Sequence, residues 1–440
     1  MGSYVGNSKE EQQEMLKESG FSSFEELFST IPDAVKIKGG LDIPSGKSEL
    51  EVIRAMKKLA AENHVFPTIF RGAGAYRHYI PAIVRSVTGK EEFLTAYTPY
   101  QAEISQGILQ AVFEFQTMIC ELTGMDVSNA SVYDGASAAG EAAAMCRERK
   151  KKNTVYVSAA ADPKVIEVIR TYCFGSGTEV VIVPEKNGVT DVEKLKEMID
   201  GDASCFYVQQ PNYFGNIEPA SELGEITHAT GAKYIIGGNP IAMAYIQTPA
   251  EAGADIAVGE GQPLGMPLSW GGPYLGFMAS THAMMRKLPG RFVGETVDIE
   301  GKRAYVLTLQ AREQHIRREK ASSNICSNEE LCALTASVYM AAMGPDGMQE
   351  AASQCTAKAH YLAEELCANG LHMKYEDEFF HEFVTSSSVP AKKILQVLEE
   401  ADILGGLPLN DTDILWCATE VNTKEEIDKT AALVGEVCGK

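Results

Sequence analysis

Basic side chains are scarce in this sequence: 39 lysines and arginines stand against 60 aspartates and glutamates, for a formal net charge of −21. That balance excludes nucleic acid as a partner, because phosphate binding needs clustered cations that would here work against long-range repulsion. The basic run RERKKK, Arg147 to Lys152, reads as the end of a helix, where cations complement the dipole. Long apolar runs are missing too. None approaches the ~20 residues that span a bilayer. The opening stretch, MGSYVGNSKEEQQEML, lacks the apolar core of a signal peptide, so a cytoplasmic protein with no membrane contact is expected. No C-x-x-C pair occurs among the ten cysteines. Many of them fall inside apolar helical patterns such as TMICELTG and AEELCANG, which favours free, partly buried thiols over disulfides or zinc. His78, His228 and His315 have no partner at metal-ligand spacing, so each is read as structural and no metal site is expected. Internal repeats and low-complexity tracts are absent as well.

What is present is a large apolar fraction, 45% of 440 residues, enough to bury an extensive core. Residues 1–90 are polar, amphipathic helical segments such as SFEELFSTI and SELEVIRAMKKLAAE, parted by Pro and Gly turns, and read as an N-terminal helical arm. From 91 to 325, short apolar runs alternate with helical ones. TVYVSAA, PKVIEVIRTYC, TEVVIVP, DVEKLKEMI, SCFYVQQ, ELGEITHAT and KYIIGG predict a mostly parallel sheet covered on both faces by helices, an α/β domain. Residues 326–440, with EFFHEFVTSS, AKKILQVLEEA, ILWCATE and KEEIDKTAALV, read as a small C-terminal α+β domain.

In an open α/β sheet, ligands sit beyond the carboxyl ends of the strands, so the strand-to-helix junctions are where chemistry is sought. In VYDGASAAGEAAAM, Val132 to Met145, Gly135 and Ser137 open a helix whose backbone N–H groups could hold a phosphate, although Gly and Ala at a helix start also serve close packing. YIIGGNPIAMA and GEGQPLGMPLSWGGPYLGF are the other two junctions. The last has the look of an approach to a cofactor-binding lysine, yet contains no lysine.

FRGAGAYRHYIPAIVRSV, the long stretch from TAYTPYQAEISQG to YDGASAAGEAA, VGEGQPLGMPLSWGGPYLGF and RREKASSNICSNEEL together resemble the glycine dehydrogenase (decarboxylating) family. This is the P-protein of the glycine cleavage system, and the likeness is strongest to the alpha-type chain, subunit 1, of its two-subunit form. The resemblance spans nearly the whole chain. It implies a fold-type I pyridoxal-phosphate (PLP) transferase-like architecture with an N-terminal arm, a large seven-stranded domain and a small C-terminal domain. In the family's catalytic chains a His-Lys-Thr precedes a Pro and a glycine-rich close. With Pro267 and Pro273 on both prolines, Gln262 falls on the lysine, and an amide nitrogen cannot form the internal Schiff base. Gly238 and Asn239 stand where such enzymes carry an Asp for the pyridine nitrogen, and Ser137 stands where a His or Gln lies against the ring.

The resemblance therefore implies a chain without cofactor, with Gly135, Ser137, Asn239 and Gln262 as vestigial positions. Its partner is a homologous subunit 2 that holds PLP in an α2β2 assembly. The complex would decarboxylate glycine and pass the aminomethyl group to the lipoyl arm of the H-protein. In YTPYQAEISQG, Tyr97, Thr98 and Gln101 are candidates for lining the partner's site, with interface packing as the other reading of the aromatics. Two further alternatives stand: a purely structural scaffold, and an independent PLP enzyme using another lysine such as Lys287 or Lys320.

Overall fold

The computed structural model describes residues 6–148, 152–310, 314–321, 323–325 and 327–439. The chain divides into two compact units, Met1–Val65 and Phe66–Lys440. In the first, helices α1 (Lys9–Glu18) and α2 (Glu49–Ala60) each start at a serine in a capping box, Ser8 with Glu11 and Ser48 with Glu51. Each box satisfies orphan N–H groups of the first turn. The boundary at Val65 differs from the expected arm of residues 1–90. Thr68 and Ile69 pair in parallel with Ile403 and Leu404, Phe70 is fully buried, and the Arg71 guanidinium donates to the Gly405 and Gly406 carbonyls. These contacts tie Phe66 to Lys90 into the second unit.

The second unit is built on a seven-stranded sheet of β1 (Val127–Ser128), β2 (Thr154–Ser158), β3 (Glu179–Val183), β4 (Ala203–Gln210), β5 (Lys233–Gly238), β6 (Ile256–Glu260) and β7 (Gly276–Ser280), in the order β1-β7-β6-β5-β4-β2-β3. β7 runs antiparallel to both its neighbours, and the remaining pairs are parallel. Strands buried on both faces read as continuous apolar runs, and β4 shows why. Phe206 and Val208 enter one core with Phe115, Tyr234, Phe277 and Tyr339. Cys205 and Tyr207 enter the other, under helix α4.

Among the helices that serve this sheet are α3 (Gln106–Thr123), α4 (Gly135–Cys146), α5 (Pro163–Phe174) and α6 (Ala220–Ala229). α4 is rich in Ala because it is crowded: a Cβ at Gly140 would lie 2.7 Å from the Tyr172 ring on α5. α4 ends at Cys146, with Arg147 as its C-cap, so the basic run does begin at a helix end; its residues 149–151 lie outside the described residues.

Helix α7 (Glu330–Ala368) joins the two cores. Gly344, at φ 64°, interrupts it just before Pro345, as a missing N–H and a ring clash require. Its first part packs Ala336, Tyr339 and Met340 into the large core, and its end packs Leu362 and Leu366 into the small one. The small domain is an antiparallel sheet of β8 (His372–Met373), β9 (Glu382–Ser386), β10 (Leu407–Pro408) and β11 (Asp413–Cys417), in the order β8-β9-β11-β10. It is covered by α8 (Ala391–Glu400) and α9 (Lys424–Cys438) around the buried Trp416. The nine described cysteines are free. No described helix is long and apolar enough to cross a membrane.

Candidate functional site

A cavity of about 350 Å³ opens beyond the carboxyl ends of β4, β5 and β6. Its floor is made by the start of α4. Asp134 caps that helix, its side chain accepting from Ser137 N at 2.7 Å. Opposite stands Glu260, the last residue of β6. Its carboxylate accepts from Gly135 N at 3.0 Å, Gln262 N at 2.9 Å and Leu275 N at 3.0 Å. Strand end and helix start meet so closely that a Cβ at Gly135 would lie 2.7 Å from Glu260 N. Gly135 is therefore a packing requirement, whatever else it does. Burial pushes the Glu260 carboxyl up to about 7, against the pull of those N–H groups. Burial also raises Asp162, a third carboxylate of the lining.

Helix N-termini favour anions because their first N–H groups have no partner. Here an internal carboxylate already holds Gly135 N at that end. With Asp134, Asp162 and Glu260 in the wall and Lys164 as the cation among the lining residues, the cavity offers a poor field for a phosphate.

The other expected positions divide. Asn239 lines the cavity. Its Oδ1 accepts from Ile241 N at 2.9 Å and Ala242 N at 3.3 Å, and its Nδ2 lies 3.4 Å from Nε2 of His381. Beside it, a Cβ at Gly237 would lie 2.1 Å from the Tyr207 hydroxyl, and one at Gly238 would lie 2.2 Å from Met243 Cε. The strand end is thus filled by its neighbours' side chains, and Tyr207 or Met243 would have to move to admit a side chain at either glycine. Ser137 contributes its main chain to the cap and is not among the lining residues.

Gln262 turns away from the cavity. It is 1% exposed, and its amide is fully engaged. Oε1 accepts from Tyr76 N at 2.9 Å, and Nε2 donates to Tyr76 O at 2.9 Å and Met266 O at 2.8 Å. Its neighbours Glu260 and Pro263 line the cavity instead, and neither Lys287 nor Lys320 does. The amide is a brace for the loop Gly72 to Tyr76.

Sequence reasoning missed Glu382 on β9. Fully enclosed, it accepts from Ala73 N at 2.6 Å and from the Tyr76 hydroxyl at 2.7 Å, pinning the same loop from the small-domain side. Burial raises its carboxyl to about 7. Glu260 was within reach of sequence reasoning, since it ends a strand two residues before Gln262 and faces a DG helix start. Glu382, some three hundred residues from its partners, carried no such signal.

Tyr97 and Thr98 lie elsewhere, in a separate depression of about 200 Å³ shared with Leu94, Ile108, Arg291 and Leu331. Tyr97 is 83% exposed. Gln101 is exposed and precedes the turn Ala102–Ile104, outside that lining. Arg291 is buried, donates to Asn328 Oδ1 at 3.0 Å and sits over the Tyr100 ring at 5.6 Å. None of Tyr97, Thr98 and Gln101 lines the acidic cavity.

The doubly wound sheet, its strand order and the small C-terminal domain define a fold-type I PLP enzyme architecture. Mouse CSAD in apo form shares it, with a TM-score of 0.68 at 13% identity over 98% of this chain and 92% of that one. A crystal structure of glycine decarboxylase (P-protein) of the glycine cleavage system, in inhibitor-bound form, matches with a TM-score of 0.93. It is 38% identical, covering 99% of this chain and 100% of that one. The family model for the glycine cleavage system P-protein matches residues 2–434. A probable glycine dehydrogenase (decarboxylating) subunit 1 from Desulfitobacterium hafniense is 47% identical over 99% of both chains. The chain belongs to the glycine cleavage system P-protein family.

Proposed function

We propose that this chain is the cofactor-free subunit of a two-subunit glycine decarboxylase, and that PLP is held by a homologous partner that carries the lysine. The observation that carries the reading is the Glu260 carboxylate seated on Gly135 N at the start of α4. A PLP phosphate there would have to displace the Glu260 carboxyl group from Gly135 N and face Asp134 and Asp162. The residues of the cavity do not fit PLP. The lining offers no acid at Gly237 or Gly238, and its one lysine, Lys164, is an exposed residue near the start of α5.

In the assembly, an α2β2 heterotetramer, the partner decarboxylates glycine and transfers the aminomethyl group to the lipoyl arm of the H-protein. This chain contributes the surface around Tyr97, Thr98 and Gln101. Supporting that role, Tyr97, Tyr100 and Ile104 are all more than half exposed on one stretch, an apolar and aromatic surface of the kind that partners cover. The isolated chain is expected to show no change in visible absorbance with PLP and no glycine-dependent CO2 exchange. Adding the lysine-bearing subunit and lipoylated H-protein should give exchange. A stoichiometric aldimine on this chain alone would overturn the proposal.

A further inference from the structure

Three ligating side chains from distant parts of the chain meet outside the acidic cavity. His78 follows the loop that lines the acidic cavity, Cys355 lies on α7 beyond its kink, and Glu420 follows β11. One ligand atom from each falls within 4.8 Å of the other two. Nδ1 of His78 is 2.7 Å from Glu420 Oε2, and the Cys355 thiol is 3.2 Å from the same oxygen. His78 is 8% exposed as a residue and its side chain 1%. Burial opposes a charge on Glu420, but the His78 contact and Tyr79 N outweigh it and hold the carboxyl down at about 2. The Cys355 thiol donates to Glu420 Oε2.

We propose that His78, Cys355 and Glu420 form a site for a divalent transition ion of the zinc type. An imidazole, a thiolate and a carboxylate are the ligand kinds that zinc takes, and tetrahedral zinc would set N···O at about 3.3 Å and S···O at about 3.5 Å. The present 2.7 and 3.2 Å separations are those of ligands drawn together on shared protons; binding would open both by about half an ångström while the imidazole nitrogen and the thiol, within 4.8 Å of each other, settle at about 3.5 Å. Binding displaces two protons: the thiol proton leaves to solvent, and the proton between Nδ1 of His78 and Glu420 leaves too or shifts to Nε2, so that a neutral imidazole ligates. Thiolate and carboxylate then balance the two positive charges, giving a neutral centre suited to burial. Lys358, close by, donates to the main-chain carbonyl of Glu420 and leaves both carboxylate oxygens to other groups.

A second observation points to an occupant. The Tyr339 hydroxyl is buried with no partner among the described residues, and the Glu420 charge reaches it. Buried hydroxyls without partners are rare. A water in the fourth position of the metal would give this one an acceptor. The site would bind the loop after Phe70 to α7 and to the small domain, and so fix the wall of the acidic cavity.

The test uses the full-length chain, stripped with a chelator and then given zinc or cobalt alone. One zinc per chain should survive dialysis. The cobalt form should show a thiolate-to-cobalt charge-transfer band, and metal removal should lower the thermal midpoint. Cys355→Ser keeps a donor for Glu420 and should lose the band, and His78→Gln should lose zinc retention. A cobalt spectrum of the unaltered chain without the thiolate band would overturn the site with no variant needed. So would zinc retained equally in both variants.

Discussion

Replacing Glu260 by glutamine tests the central claim, because it removes a charge while leaving the shape. The Glu260 carboxyl is raised from 4.5 to about 7 in the folded chain, chiefly by burial. A group raised on folding binds its proton more tightly in the native state. Its contribution to stability is therefore complete below about pH 4.5 and is lost as pH rises through about 7. At 1.36 kcal/mol per pH unit, the loss is about 3 kcal/mol over the whole window and about 2 kcal/mol between pH 5.5 and 8. Glu260→Gln has no such titration. It carries a constant deficit of about 1 to 3 kcal/mol, because one of the three N–H groups must face an amide nitrogen. The variant should thus be less stable than the parent at pH 5.5 and close to it, or above it, at pH 8. Urea unfolding followed by tryptophan fluorescence reads this well. Trp416 is fully buried in the second unit, and Trp270, the other tryptophan, is 95% exposed. Glu218 and Glu382 are raised to about 7 as well, so only the difference between variant and parent isolates Glu260. Parallel pH profiles would refute the reasoning.

Gln262→Lys should not create a cofactor site. The new side chain would point at the Tyr76 main chain, leave Tyr76 N without its acceptor and lower stability by about 1 to 3 kcal/mol; a borohydride-reducible yellow adduct with PLP would contradict this. Gly135→Ala should lower the urea midpoint by the equivalent of about 1 to 3 kcal/mol, since its Cβ would meet Glu260 N, Cα and Cβ within 2.9 Å. An unchanged midpoint would show that strand and helix can part there. Tyr97→Phe and Gln101→Ala should lower glycine-dependent exchange in the assembled complex while bound PLP and subunit content stay constant. Recovery of full rate at higher subunit concentration would assign both residues to interface packing by mass action.

The α/β core was legible because its signals are local. TVYVSAA, TEVVIVP, SCFYVQQ and KYIIGG all form strands of the large sheet, and the helical runs between them form helices. Strands buried on both sides announce themselves as apolar runs whatever their neighbours are. The hairpin of Phe292–Val297 with Arg303–Thr308 was not anticipated. Its second face is exposed, at Glu295, Val297 and Arg303 for example, so no continuous apolar run marks it. The short parallel pairing after Val65 was not anticipated for a related reason. A two-residue strand pairing across more than three hundred residues, Thr68 with Ile403, has no local pattern at all.

The site was legible only where chemistry and chain order coincide. Gln262, the glycines at the end of β5 and the start of α4 all lie in or beside the segments that line the cavity. What the alignment of prolines could not convey is direction. Placing Gln262 opposite a lysine says nothing of where its amide points, and backbone geometry turns it toward Tyr76. The decisive side chain is its neighbour Glu260, which a search for a nucleophilic amine passes over because a carboxylate is the wrong group for that role. A strand-end carboxylate facing a helix start has a meaning of its own. Its oxygen takes the helix-start N–H of Gly135, a group that a bound anion would otherwise seek.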